Sequence, residues 1–207
     1  MIIDPTDHSI KDNYKLLIGA VVPRPIAFVA TRSASGHNNL APFSFFTAIS
    51  SKPPTICFAP SLRSRQSLKK DTLQNIEETG EFVVNIVTED IAEQMNETAT
   101  EVPPDIDEFV YSGLTPVPSQ KVKPPRVKES PINMECKLYK IVTVGPDDVG
   151  GSALVIGEVV LFHVADRLID DFRIDLDLLK PVGRLAGPDY TTLGRRFSLE
   201  RKRYAGK

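Results

Sequence analysis

The 207-residue sequence contains no tryptophan, only two cysteines and only three histidines. Cys57 and Cys136 both lie in apolar, strand-like runs, which favours two buried free thiols over a disulfide. His8, His37 and His163 are far apart, and neither a cysteine nor a second histidine lies at metal-ligand spacing from any of them. The sequence therefore gives no support for a disulfide scaffold or a metal centre.

Long apolar runs and a strong net charge are also missing. No stretch approaches the length that spans a bilayer. The formal charge of -2 gives no electrostatic reason to expect nucleic acid or a membrane surface as a partner. Residues 1–12 lack the basic and apolar segments of a secretory signal, so a cytoplasmic protein is expected. The length and the hydrophobic fraction of 41% favour one globular domain over residues 1–207.

The common nucleotide and hydrolase signatures are absent as well. The sequence has no Gly-x-Ser-x-Gly elbow, no Walker phosphate loop and no Gly-x-Gly-x-x-Gly turn. A nucleotide, if one is bound, is therefore held by something other than a Rossmann turn.

Strand signals dominate what is present. Residues 32–38 are polar and predict a hairpin loop, and residues 132–139 alternate apolar and polar positions as in a half-buried strand. The predicted strands cover residues 24–31, 39–50, 55–59, 81–87, 132–139 and 153–165, and a turn at residues 145–151 predicts that the last two form one long hairpin. Because these strands do not alternate regularly with helices, the sequence predicts an antiparallel barrel with helical additions, not a parallel doubly wound sheet.

Two helices and a proline-rich connection complete the predicted organisation. Asp71 or Thr72 can cap a helix that ends at Gly80, and a second helix begins at Thr88. Residues 101–131 contain seven prolines, which predicts a long, mostly extended connection. No change of composition follows it, so we interpret it as a surface excursion within one domain and not as a linker between two.

Residues 39–51 form the first candidate binding surface. Small hydroxyl-bearing residues alternate there with aromatic ones, and prolines bracket the run. Backbone N–H groups beside small residues can reach the polar edge of a flat ring whose faces are apolar. An ordinary barrel strand with serine and threonine facing water is the alternative.

Residues 61–72 form the second candidate binding surface, between a predicted strand and the N-terminus of a predicted helix. Four cations, several hydroxyl groups and the first amides of the helix meet there. This combination suits a phosphate group. A solvated basic loop beside a capped helix is the alternative.

Several motifs occur in order along residues 14–200, and their order resembles the flavin reductase-like, FMN-binding split-barrel family. The motifs that carry the resemblance include Arg24-Pro25-Ile26-Ala27-Phe28-Val29-Ala30-Thr31, Asn39-Leu40-Ala41-Pro42-Phe43-Ser44-Phe45-Phe46, Pro53-Pro54, Lys70-Asp71-Thr72, Thr79-Gly80-Glu81-Phe82-Val83-Val84-Asn85, Pro125-Arg126-Val127, Glu135-Cys136-Lys137-Leu138 and Gly157-Glu158-Val159-Val160.

The resemblance implies a mainly β protein with helical additions, built as a six-stranded antiparallel Greek-key split β-barrel. It also implies a homodimer with flavin mononucleotide (FMN) near the subunit interface. The residues that it places around the isoalloxazine ring and the ribityl chain are Asn39, Leu40, Ala41, Pro42, Ser44, Ser50 and Ser51. The residues that it places around the phosphate are Arg63, Ser64, Lys70, Asp71 and Thr72. Further candidates for the FMN site are Thr31, Asn75 and Tyr190.

The activity implied by the resemblance is that of an NAD(P)H-dependent flavin reductase, in which the flavin carries the redox chemistry. Its reduced flavin leaves or passes electrons on, for example to a flavin-dependent monooxygenase. His163 is a candidate for nicotinamide or ring binding, with a core histidine as the alternative. The rival function is a flavoredoxin-like electron carrier that holds FMN without reacting with NAD(P)H, since no dinucleotide site is visible in the sequence.

Overall fold

The computed structural model describes residues 1–62, 69–103, 106–146, 148–202 and 204. Its main sheet has seven strands, numbered here β1 (Ala27–Arg32), β2 (Asn38–Phe43), β3 (Phe46–Ser51), β4 (Pro54–Phe58), β5 (Glu81–Ile86), β6 (Ile132–Val144) and β7 (Ser152–Val164). The helices of the described ranges are α1 (Ile10–Ala20), α2 (Asp71–Thr79), α3 (Ala92–Glu97), α4 (Glu108–Ser112) and α5 (Leu176–Leu179). Short 3-10 turns cover Pro5–Asp7, Glu89–Ile91 and Asp166–Leu168. Pairs of two-residue strands join Pro116–Val117 to Arg126–Val127, Ile169–Asp170 to Arg173–Ile174, and Gly183–Arg184 to Tyr190–Thr191.

The strand order of the main sheet is β2-β1-β5-β6-β7-β4-β3, and every neighbouring pair is antiparallel. Strands β5, β6 and β7 are neighbours, and β4, which precedes β5 in the chain, lies beside β7. This is a Greek-key arrangement. Strands β2 and β3 occupy opposite edges of the sheet, although only Ser44 and Phe45 separate them. The sheet must therefore curl until its edges approach each other, which makes it a barrel split between β2 and β3.

The main sheet has seven strands where six were expected, because residues 39–50 form two strands instead of one. The pairing of β2 with β1 ends at Phe43, and β3 then pairs with β4 from Phe46 onward. The extended pattern of these residues does not reveal that the chain changes partners at Ser44. The long hairpin was predicted correctly, and β6 and β7 each have 13 residues.

Aromatic rings fill the centre of the barrel. The ring centroids of Phe43 and Phe58 are 5.1 Å apart, and those of Phe58 and Phe82 are 5.6 Å apart. Phe82 leans onto β7 at Gly157, where a Cβ atom would lie 2.2 Å from its Cζ atom. Gly157 is therefore the position at which β7 makes room for the central ring.

Replacing Gly157 with alanine is expected to lower the free energy of unfolding by about 1–3 kcal/mol, because the buried Phe82 ring must move. Urea unfolding measures this change. Gly19→Ala is the matched control, since a Cβ atom at Gly19 meets nothing within 4 Å and Gly19 lies in α1. That variant should be neutral or slightly more stable. Equal stability of Gly157→Ala and the wild type would contradict the close approach.

Helix α2 begins next to the candidate phosphate region. Its N-cap is Lys70, so the prediction that Asp71 or Thr72 caps the helix is wrong. Asp71 lies in the first turn, and the Thr72 hydroxyl donates to Asn39 on β2 instead of capping the helix. The helix ends at Gly80 with φ of 69°, as predicted, because the left-handed region favours glycine. The predicted second helix is also present, as the turn Glu89–Ile91 continued by α3.

The proline-rich segment is more than an extended connection, because it contains α4 and is fastened to the barrel. Phe109 of α4 is fully buried. Further along the segment, the amides of Gln120 and Lys121 donate to the carboxylate of Glu135, at 2.8 and 2.6 Å. The same carboxylate lies 2.6 Å from Nε2 of His163. Glu135 is fully buried on β6 and holds the segment against the barrel.

Acid is expected to weaken the fold through Glu135. Burial by itself raises the pKa of Glu135, but the amide of Gln120, the ring of His163 and the amide of Lys121 together outweigh it and lower the pKa. A carboxyl group whose pKa is lowered in the folded state stabilises the protein at pH values above the ordinary pKa of that group. That stability is lost as the pH falls through the lowered value.

Glu135→Gln should therefore flatten the loss of unfolding free energy between about pH 5 and pH 3, as measured by urea unfolding across that range. The substitution should also cost about 1–3 kcal/mol at neutral pH, because one oxygen acceptor is replaced by a donor. Glu81→Gln is the control, since Glu81 accepts one amide of the same segment, from Lys123, at 2.9 Å near the surface. A slope unchanged in Glu135→Gln would contradict this role.

The two cysteines agree with the expectation from the sequence. Cys57 and Cys136 are buried free thiols, and burial raises the pKa of both. Among the described residues, no group of three or more potential ligands could hold a metal ion. None of the helices in this part of the chain is both long and apolar enough to cross a membrane.

Candidate functional site

Four of the predicted site residues form one buried hydrogen-bond network where α2 meets β1 and β2. The Oδ1 atom of Asn39 accepts from the hydroxyl groups of Thr72, at 2.7 Å, and Thr31, at 3.3 Å. The Nδ2 atom of Asn75 donates to Thr31 Oγ1 at 3.0 Å. All four side chains are buried. The network fixes the first turn of α2 against the barrel, so these side chains position the site and are already satisfied within the chain.

Glu108 completes this network from α4, although no sequence pattern pointed to it. Its Oε1 atom accepts from Nδ2 of Asn39 at 2.7 Å, and its Oε2 atom accepts from the amide of Leu40 at 3.1 Å. Burial raises the pKa of Glu108, and the hydrogen bonds from backbone amides and from Asn39 offset only part of that effect. No local signal could have found Glu108, because its partners lie 68 and 69 positions earlier in the chain.

A narrow cleft opens above the network. Its lining includes six predicted site residues, namely Asn39, Ala41, Pro42, Lys70, Asp71 and Thr72. Residues 98–100 and Val102, which the sequence did not single out, form the opposite wall with Glu108. The Nζ atom of Lys70 lies 5.1 Å from the centroid of the Phe43 ring. The cleft therefore joins a cation and a helix N-terminus to small and apolar groups on β2.

A second recess continues from the first and shares Pro42 and Ala99 with it. This recess contains Ser44, whose hydroxyl accepts from Nε of Arg24 at 3.3 Å, and Tyr190 from the C-terminal part of the chain. The Tyr190 hydroxyl donates to Asn96 at 3.0 Å. The structure thus brings Tyr190 to the same side of the barrel as Pro42 and Ser44, although some 150 residues separate them.

The remaining predicted residues lie apart from these two recesses or outside the described residues. Ser50 and Ser51 lie on the exposed edge strand β3, and Leu40 is buried with only its backbone directed to Glu108. Arg63 and Ser64 lie outside the described residues. His163 lies on β7 with its ring against Glu135, and it is not among the described residues that line either recess. Its position favours the structural role over a catalytic one.

Comparison with known proteins identifies the family. A family model described as a flavin reductase like domain matches residues 19–174. The chain belongs to this family. Nitrilotriacetate monooxygenase component B from Bacillus cereus is 42% identical, with a TM-score of 0.91 over 96% of this chain and 98% of that chain.

Two other structures of the flavin reductase like fold carry different names. The 2-nitrobenzoate 2-nitroreductase of Pseudomonas fluorescens is 35% identical, with a TM-score of 0.86 over 100% of this chain and 99% of that chain. Flavoredoxin from Desulfovibrio vulgaris (Miyazaki F) is 26% identical, with a TM-score of 0.72 over 90% and 94% of the two chains. Similar folds therefore occur in a monooxygenase component, a nitroreductase and a flavoredoxin.

The residues of the first cleft fit one end of a flavin nucleotide. Lys70 and the first-turn amides of α2 offer charge and donors to a phosphate, and Ala41, Pro42 and Ala99 add small apolar groups beside them. The two recesses measure only about 60 and 180 Å³, whereas pockets for drug-sized ligands measure roughly 300–1,000 Å³. One chain thus provides an open groove rather than an enclosed flavin pocket.

Proposed function

We propose that this chain binds FMN in the groove above α2 and acts as an NAD(P)H-dependent flavin reductase. The observation that carries the proposal is the convergence of Lys70, the N-terminus of α2 and the small β2 residues in one cleft of a flavin reductase like fold. Bound FMN would accept hydride from the nicotinamide and supply the redox chemistry.

In this proposal the protein's own side chains and backbone amides would bind FMN and orient it. Lys70 and the α2 amides would hold the phosphate. The hydrogen bonds among Asn39, Thr72 and Glu108 fix the position of the helix relative to β2. The small side chains on β2 would let the ring approach the backbone. Arg63 and Ser64 remain proposed phosphate ligands on the basis of sequence alone.

Anaerobic mixing of the protein with FMN and NADH, and separately with NADPH, tests the activity. We expect the oxidised flavin absorption to bleach with at least one of the two. FMN that binds and bleaches only with a chemical reductant would instead support the electron carrier, which the similarity to a flavoredoxin keeps as the rival function. Failure to bind FMN would contradict both the flavin reductase and the electron carrier.

The similarity to a monooxygenase component suggests a use for the reduced flavin. We propose that it passes to a separate flavin-dependent monooxygenase. Release of reduced flavin into solution, trapped by an added flavin-dependent oxygenase, would support this use. Reduced flavin that stays bound until oxidised would argue for electron transfer on the protein.

We propose a homodimer whose second subunit covers the open groove. Phe43 is buried and Phe46 packs on the core, whereas Phe45 and Ile49 remain exposed. Exposed apolar groups along an edge strand favour a covering partner. Sedimentation should give twice the chain mass of 22.9 kDa, and Ile49→Glu should shift it toward the monomer.

Val110→Glu is the control for this experiment, because Val110 is 79% exposed on α4. The control should leave the dimer intact. A wild-type protein that sediments only as a monomer at high concentration with FMN bound would contradict the homodimer.

A further inference from the structure

The recess that contains Tyr190 combines apolar residues with two arginines. Its floor is apolar, from Ile18, Ile26 and Met95, and its rim carries the rings of Tyr14 and Tyr190. Arg24 and Arg184 also line it, and none of the described residues that line it is acidic. The recess therefore concentrates positive charge around an apolar floor in a protein whose formal charge is -2.

Arg24 is a buried cation that lies over the ring of Phe45 at 5.9 Å and whose hydrogen-bond acceptors within the described residues are all neutral oxygen atoms. It is 4% exposed, and its guanidinium donates to the carbonyls of Ile18, Val21 and Leu185 at 2.7 to 2.9 Å, in addition to Ser44. The first two carbonyls end helix α1, whose dipole supplies roughly half a negative charge. A buried charge without a full counter-charge favours an anion nearby.

Arg184 adds donors at the mouth of the same recess. Its guanidinium carbon lies 4.3 Å from the centroid of the Tyr190 ring, and its backbone pairs with that of Arg24 in both directions, at 2.9 and 2.8 Å. Its Nη2 atom donates to the carbonyl of Gly187. Within the described part of the chain, Nε and Nη1 of Arg184 have no hydrogen-bond partner, so they can donate to a ligand.

From this geometry we infer that the recess binds a small planar anion, an arenecarboxylate, next to the proposed flavin ring. The carboxylate pairs with Arg184 within the field of Arg24, and the ring lies on the apolar floor between the tyrosines. A volume of about 180 Å³ admits one substituted ring. The inference deepens the proposed function, because it rests on that function for its position beside FMN.

Fluorine NMR of 4-fluorobenzoate and of the neutral 4-fluorobenzamide tests the inference on both flavin-free and FMN-loaded protein. We expect the wild type to bind fluorobenzoate at least roughly tenfold more tightly than the amide, because only the acid forms charge-assisted hydrogen bonds. Arg184→Gln should remove that preference, and Arg184→Lys should keep part of it. Arg173→Gln is the matched control, since Arg173 is exposed in the 169–174 hairpin and should change nothing.

Three results would overturn the inference: equal binding of acid and amide by the wild type, an acid preference that survives in Arg184→Gln, or inorganic phosphate displacing fluorobenzoate at equal concentration. The last result would show a general anion site without selection for a ring. Fluorobenzoate binding without FMN binding would refute the proposed function and leave the recess standing. FMN binding without any preference for the acid would do the opposite.

Discussion

Lys70→Ala is expected to weaken FMN binding roughly ten- to hundredfold while leaving riboflavin binding nearly unchanged. The side chain sits at the N-cap of α2 and makes no capping hydrogen bond there, so its removal leaves the helix end intact. Its loss removes one charge-assisted contact to a phosphate that carries close to two negative charges, on the order of 1.5–3 kcal/mol. Fluorescence titration of each flavin into wild type and variant measures the change.

Lys69→Ala is the matched control for Lys70. It removes the same charge one residue earlier, but the Nζ atom of Lys69 bonds to the carboxylate of Glu77 at 2.7 and 2.9 Å. Because the charge of Lys69 is paired with Glu77 and screened by solvent, its removal should change FMN affinity by less than about threefold. Equal losses for FMN and riboflavin in Lys70→Ala would mean that the phosphate lies elsewhere.

Glu108→Ala is expected to destabilise the protein by about 2–5 kcal/mol and to weaken FMN binding as well. The substitution leaves the buried Nδ2 of Asn39 and the amide of Leu40 without their acceptor, and each unsatisfied donor costs about 1–3 kcal/mol. Asn39 in turn holds Thr72 in the first turn of α2. Urea unfolding and FMN titration measure the two effects.

Glu129→Ala is the control for Glu108, because Glu129 lies in the same proline-rich segment and accepts only the exposed amide of Thr115, at 3.1 and 3.2 Å. Its loss should cost less than about 1 kcal/mol and should not affect FMN. A Glu108→Ala protein with wild-type stability and wild-type FMN affinity would show that the network does not support the site.

Local patterns in the sequence were enough to predict most strands, whereas long-range pairing was not. The alternation of residues 132–139 and the turn after Val144 predict the β6–β7 hairpin, because both arms are close in sequence. The break at Ser44 is different, because β2 and β3 are continuous in pattern and are distinguished only by their pairing. Strand β2 pairs with β1, whereas β3 pairs with β4. Helix α4 was missed because seven prolines dominate the segment around it, and its buried Phe109 is stabilised by contacts with distant elements.

In the candidate site, too, residue types were predictable from local sequence, whereas long-range contacts were not. Lys70, Asp71 and Pro42 were found through residue types that suit a phosphate or a flat ring, and the structure brings them into one cleft. Asn39 and Thr72 were found for the same reasons, and besides lining the cleft they hold the helix to the sheet through their hydrogen bond. Arg24 belongs to a quoted motif, yet one of its acceptors, the carbonyl of Leu185, lies 161 residues away in the chain.

Reconstitution with flavin tests the central proposal most directly. Purified protein incubated with micromolar FMN and passed through a desalting column should retain a yellow flavin spectrum, and heat-released flavin should be FMN when FMN and FAD are offered together. The Lys70→Ala variant should retain much less under the same conditions, while Lys69→Ala should match the wild type. Wild-type protein that leaves the column without flavin, after incubation with micromolar FMN, would contradict the proposal that this chain binds FMN.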